Sequence, residues 1–327
     1  MTTYEKIDRA YDAALTGRVL SHEEIVELLR IETSSKECDY LRERAHEASL
    51  KLTGGGAYMW GAIGVDYASC AMNCDFCSFG KAWGLIGDEK IYSIDEIVAR
   101  VGEYVADGVH FIVLRTTQHY SLETIAESVG AIRKAVEGAY EIVVNVGEFG
   151  LATANALYDS GVDGVYHAIR LREGINTHFR IAEREATLDA IQHSPLNLIH
   201  LVEPVGAEHT YDEIAERFLG AVRYGAYISG IMARIPVEGT PLGTQPRISD
   251  EEIAKQIAVL RLSGGSVVKH ICVHPASEAA LMSGANVAVI ETGAIPRDNA
   301  LAENKWRQFD CRTARELFER CGYRVIA

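Results

Sequence analysis

Apolar residues recur along this chain in two alternating rhythms. From Ser93 onward, stretches with apolar positions three and four apart alternate with short runs rich in Val, Ile and Leu. The first rhythm marks one face of a helix, the second a strand buried on both sides. Helices are expected near 93–107, 121–136, 149–160, 178–193, 209–224, 249–263, 276–283 and 311–321. Strands are expected near 57–68, 109–115, 140–146, 163–169, 196–203, 227–235, 267–273 and 286–291. Such alternation argues for parallel strands joined by helical crossovers. Eight strands fit a closed α/β barrel, the (β/α)8 TIM-type fold. Phrases such as Asp107-Gly108-Val109 place a glycine at a helix end leading into a strand.

Residues 1 to about 50 read as helical. Ser21 caps an acidic first turn, with Ile25, Leu28 and Leu29 following at helical spacing. Gly54-Gly55-Gly56 then breaks the helix. The expected organisation is a helical segment over 1–53 packed on a barrel over 54–327.

Composition narrows the partners. The 327 residues are 48% hydrophobic and 24% charged, an ordinary globular mixture. The net charge of −14 disfavours a nucleic-acid partner, because phosphate binding needs clustered Lys and Arg. No apolar run reaches the roughly 18 residues of a membrane span. The N-terminus lacks a basic region followed by an apolar one, so a cytoplasmic location is expected. There Cys38, Cys272, Cys311 and Cys321, widely scattered, read as reduced thiols or metal ligands rather than disulfides.

The remaining cysteines, Cys70, Cys74 and Cys77, stand at C-x3-C-x2-C spacing just after the first expected strand. Three thiolates suit an iron–sulfur cluster better than a structural zinc, which takes four protein ligands. A trio leaves one metal position open for a small molecule. Reactive groups of a barrel sit at the C-terminal ends of its strands, where this loop falls. His270, Cys272 and His274 alternate along one strand and so share a face, expected to be the lumen. They suit substrate binding, a metal site or a thiol that quenches a radical; packed core residues are the bland alternative. His167, Glu203 and Arg234 also lie at strand ends. Buried charge is costly unless paired or used, so this lumen favours a small polar substrate.

The cysteine spacing, with Phe76 just before Cys77, resembles the radical S-adenosylmethionine (radical SAM) superfamily. Ile235 to Leu242, Val205 to Thr210 and Ser283 to Asn286 are similar to phrases of its biotin synthase group. The resemblance implies a [4Fe-4S] cluster on Cys70, Cys74 and Cys77, with S-adenosylmethionine on the open iron. It implies reductive cleavage to a 5'-deoxyadenosyl radical that abstracts hydrogen from the substrate, and an external electron donor of flavodoxin or ferredoxin type. By the same resemblance, Phe76 lies beside the adenine, and Ile235 and Val237 contact it. Thr117 and Gln118 replace a glycine-rich, Glu-containing turn that receives the amino group. Asn145 and Glu148 line the cofactor site, Arg184 faces its carboxylate, and Arg170, with Glu173 nearby, stands where relatives hold the ribose through an acid. The cysteines that bind the second cluster of biotin synthase have no counterparts on the middle strands. The expectation is a radical SAM enzyme of cofactor or modified amino-acid biosynthesis acting on a small polar substrate. The alternatives are a sulfur-inserting enzyme with an auxiliary cluster and a non-catalytic iron–sulfur carrier.

Overall fold

The computed structural model describes residues 1–303 and 306–327. Among them, eight parallel strands close into a barrel: β1 (Gly56–Gly64), β2 (Phe111–Arg115), β3 (Glu141–Asn145), β4 (Gly164–Tyr166), β5 (Asn197–Ile199), β6 (Ile228–Ala233), β7 (His270–His274) and β8 (Val287–Ala294). Each pairs with the next in chain order, and β8 returns to β1 in register from Tyr58↔Val287 to Gly64↔Gly293. Helices α4 (Ile94–Ala106), α5 (Leu122–Ala135), α6 (Leu151–Asp159), α7 (Ile181–Gln192), α8 (Tyr211–Arg223), α9 (Asp250–Gly264) and the short α10 (Glu278–Leu281) make the crossovers; α11 (Cys311–Arg320) follows β8. The alternating pattern thus folds as the TIM-type barrel expected from it.

Two strands depart from expectation. The run at 57–68 stops at Gly64, where a Cβ would lie 1.9 Å from the Ala294 carbonyl oxygen. The seam between β1 and β8 is too close there for a side chain. The chain turns away, and Asp66–Tyr67 pairs antiparallel with Lys90–Ile91. The run at 196–203 splits into β5 and a second piece, Val202–Val205, which pairs with β6 after an irregularity in register.

The N-terminal residues form α1 (Thr3–Thr16), α2 (His22–Leu29) and α3 (Lys36–Thr53). Ser21 and Glu24 close a capping box at α2, and Gly54 ends α3 at φ 61°, a left-handed position that favours glycine. These helices cover α8 and α9. Helix α9 is therefore buried on both sides, which places even Lys255 and Arg261 out of water. Both find partners: Lys255 Nζ donates to the Ile31 carbonyl at 3.1 Å, and Arg261 Nη2 to Asn286 Oδ1 at 2.7 Å.

The barrel interior is graded along its axis. Tyr58, Phe111, Tyr227 and His270 contact one another through tilted and edge-to-face rings at the end where the strands begin. Trp60, Val113, Cys272 and Val289 fill the middle. Charged residues gather where the strands finish.

Candidate active site at the C-terminal end of the barrel

The cysteine loop is stapled across that end. Asn73 adopts φ 41°, a conformation Asn tolerates better than most residues, and its Oδ1 accepts from Ala82 N at 2.9 Å. Asp75 N donates to the Asn176 carbonyl and Asn176 Nδ2 to Asp75 Oδ2, while Ser78 N reaches the Pro296 carbonyl. The loops after β4, β6 and β8 thus fix the loop after β1.

Two adjoining cavities open beneath it. One touches Cys70, Cys74 and Cys77 together with Thr117, Gln118, Asn145, Arg170 and Arg184. The other touches Cys74, Phe76 and Cys77 and continues over Tyr166, Glu203, Arg234, Ile235 and Arg297. Arg115, Asn145 and Arg170 border both. Their empty volumes are about 670 and 680 Å³.

The three thiols fit a cluster. All face one cavity, and burial raises the Cys74 thiol and pushes Cys77 up to about 11. Such thiols ionise only when metal cations take the place of their protons. No three His, Cys, Asp or Glu side chains among the described residues are gathered to hold a single metal ion. A cluster takes one thiolate per iron, so three thiols on one cavity could each hold a different iron. The other cysteines lie apart: Cys38 on α3, Cys272 inside the barrel, Cys311 and Cys321 at opposite ends of α11.

Much of the site was not singled out in the sequence. Glu291, 2% exposed, meets Arg115 at 2.6 Å, Arg297, and His274 at 3.1 Å. Burial opposes its ionisation, yet Arg297, His274 and Arg115 together hold its carboxyl well below the usual carboxylate range. One carboxylate shared by two arginines leaves positive charge facing the cavity. Asp66 accepts from Thr117 N at 2.8 Å and from its hydroxyl, which fixes the turn after β2; burial nevertheless raises its pKa. Tyr166 donates its hydroxyl to Glu203. A charge inside the apolar run Val287–Ala294 and a basic residue closing the run 109–115 were the available signals for Glu291 and Arg115.

The expected cofactor residues fall into two tiers. Phe76, Thr117, Gln118, Asn145, Arg170, Arg184 and Ile235 line the cavities. Glu148 and Glu173 stand behind them. Glu148 receives Arg184 Nη1 at 3.0 Å and the Gln118 amide; Glu173 accepts from Arg170 N at 2.9 Å and lies 3.7 Å from Arg184 Nε. Val237 is buried in a turn, its carbonyl accepting from Thr240.

The expected catalytic residues are spread out. Arg234 lines the second cavity and is paired with Glu208. His274 stands behind that cavity, where it meets Glu291, the partner of the lining residues Arg115 and Arg297, and Trp306 stacks on it with centroids 5.7 Å apart. His270 begins β7 and His274 ends it, so at ~3.3 Å per residue they are separated by most of the barrel depth. Burial pushes His270 down to about 3. Cys272 is fully buried between these levels. His167 follows the inward Tyr166 and turns out of the barrel toward Arg184 and His200; burial, then Arg184 and Arg170, hold it well below the usual histidine range.

No protein-family model matches the chain. Biotin synthase 2 of Corynebacterium diphtheriae is 22% identical over 296 residues, 85% of this chain and 86% of the relative. Biotin synthase of Heliobacterium modesticaldum is 26% identical over 266 residues, 79% of this chain and 81% of the relative. Among solved structures, methylornithine synthase (PylB) superposes with a TM-score of 0.79 at 16% identity, covering 97% of each chain. HydG, a maturase of the [FeFe]-hydrogenase, also gives 0.79 at 12% identity, covering 99% of this chain and 76% of HydG. The chain is thus similar along most of its length to biotin synthases, and it shares the barrel fold of methylornithine synthase and HydG. Radical SAM proteins use a [4Fe-4S] cluster and S-adenosylmethionine, and the trio of thiols on the first cavity accords with that chemistry. No helix among the described residues is long and apolar enough to cross a membrane.

Proposed function

We propose that this protein is a radical SAM enzyme of cofactor or modified amino-acid biosynthesis that removes a hydrogen atom from a small polar substrate carrying an anionic group. The observation that supports this is the wall of the second cavity. It runs from Cys74 and Cys77 to Arg115, Arg170, Arg234 and Arg297, with Glu203 as its acidic member. Glu291 is shared between Arg115 and Arg297, so an anion entering beside them would find unspent charge and hydrogen-bonding capacity. Arginine is suited to a carboxylate or phosphate through its planar fork.

In this reading Cys70, Cys74 and Cys77 hold the cluster. Thr117, Gln118, Asn145 and Arg184 frame the methionine part of S-adenosylmethionine, and Glu148 and Glu173 hold Arg184. Phe76 and Ile235 flank the adenine, with Val237 shaping the turn behind, and Arg170 serves the ribose side. Arg234 receives the substrate, while His274 steadies Glu291. His167, His270 and Cys272 support the wall from behind or below. The bound group supplies a carbon radical upon one-electron reduction by a flavodoxin- or ferredoxin-type donor; the chain orients the reactants and excludes water.

The test is anaerobic reconstitution followed by reduction with S-adenosylmethionine present. About four irons per chain and formation of 5'-deoxyadenosine are expected. Absence of 5'-deoxyadenosine with every anionic small molecule tried overturns the proposal.

A further inference from the structure

Tyr166 is placed unlike any other tyrosine near the cavities. It ends β4 with its ring turned into the barrel, and it lines the same cavity as Cys74, Phe76 and Cys77. Its ring meets Trp60 edge to face, with centroids 5.4 Å apart and planes at 89°. Its hydroxyl donates to Glu203 Oε2, and Glu203 Oε1 lies 3.5 Å from Arg170 Nε. Both Tyr166 and Glu203 border the cavity, so the phenol oxygen stands between a reaction space and a carboxylate that reaches the same space. The ring itself is 6% exposed and held by packing, which fixes the oxygen in position. Apolar wall residues would serve a merely structural role without a buried phenol–carboxylate pair.

We propose that Tyr166 is a hydrogen-atom donor to carbon radicals formed in this cavity, with Glu203 as its proton relay. The inference rests on the radical chemistry proposed above. In the step, the phenol O–H bond breaks and a C–H bond forms on the radical, which leaves a neutral tyrosyl radical. A phenolic O–H bond is weaker than an aliphatic C–H bond, so the transfer runs downhill. Return to the phenol takes one electron and one proton. The electron comes from the same class of low-potential one-electron donor that starts the reaction, and the proton from solvent by way of Glu203. The donor would close reactions whose product radical must be quenched. In the absence of substrate it would quench the radical derived from S-adenosylmethionine.

That last property makes the test independent of the unidentified substrate. Reconstituted holoenzyme is incubated with S-adenosylmethionine and dithionite in D2O, where the phenol carries deuterium. The 5'-deoxyadenosine is then weighed by mass spectrometry, and freeze-quenched samples are read by electron paramagnetic resonance. Wild type is expected to place one solvent deuterium in 5'-deoxyadenosine and to show a tyrosyl signal that narrows in protein made with ring-deuterated tyrosine. Tyr166→Phe is expected to lose most of the label and the signal while it keeps cluster absorbance. Glu203→Gln is expected to keep the label and prolong the tyrosyl signal. Unlabelled 5'-deoxyadenosine from wild type overturns the donor role, as does full labelling in Tyr166→Phe. Should Tyr166→Phe fail to fold, a wild-type sample with no tyrosyl signal is equally decisive against it. No 5'-deoxyadenosine at all from wild type, with or without anionic substrates, overturns the underlying radical reading as well.

Discussion

Replacing Glu291 by Gln keeps the shape of the side chain and removes its charge. The carboxylate is 2% exposed, and its partners Arg115 and Arg297 are themselves only 13% and 11% exposed at the side chain. The introduced amide would still accept one hydrogen bond, but two buried guanidinium groups would lose their shared anion. Breaking a buried ion pair costs about 3–5 kcal/mol, and the retained hydrogen bond argues for the lower end, about 3 kcal/mol. At roughly 2.1 cal/mol/K per residue, 327 residues give an unfolding entropy of about 0.7 kcal/mol/K. Tm of the apoprotein should therefore fall by about 4 °C, read by circular dichroism or scanning calorimetry. The sign with pH follows from the depressed pKa of Glu291. Its contribution is complete above the ordinary carboxylate value of 4.5 and is lost as pH falls through the lower folded value. The gap between wild type and Glu291→Gln should stay constant down to about pH 4.5 and narrow below it. Replacing Arg297 by Met in the Glu291→Gln background should recover part of the loss, because it removes one orphaned cation. A single variant that melts within about 1 °C of wild type, or a gap that is unchanged in acid, would refute the reasoning.

Three further outcomes are expected. Cys74→Ala should abolish the visible absorbance of the reconstituted cluster while far-UV circular dichroism stays that of the barrel; retained absorbance and cleavage would overturn the ligand assignment. Cys272→Ser should leave cluster absorbance intact and lower stability by roughly 1–3 kcal/mol, since it puts a hydroxyl into the packed barrel interior; an unchanged Tm would show that the hydroxyl finds a partner. Gly230→Ala should give little folded protein, because φ is 143° and the new Cβ would lie 1.9 Å from the Cys272 carbonyl oxygen; wild-type yield and Tm would show that β6 and β7 can separate there.

What the sequence determined by itself was periodic or local. The alternation of strand and helix rhythms specified eight β–α units, because parallel strands buried on both faces need helical crossovers. The spacing of Cys70, Cys74 and Cys77 specified a three-thiolate loop, because such a loop closes over a few residues. Alternation also specified that His270, Cys272 and His274 share one face. Depth was not local. Tertiary structure decided that His270 packs among rings at one end of the barrel while His274 meets Glu291 at the other. It also decided which charges pair. Arg115, Glu291 and Arg297 come from the second strand, the eighth strand and the loop beyond, and only barrel closure brings them together. Glu208 and Arg234, and Tyr166 and Glu203, meet because neighbouring strands pair. Coulomb forces and hydrogen bonds act over a few ångströms of space, whatever the distance along the chain. The loop of thiols was therefore legible in one line of sequence, and the meeting of Arg115 and Arg297 over Glu291 was not.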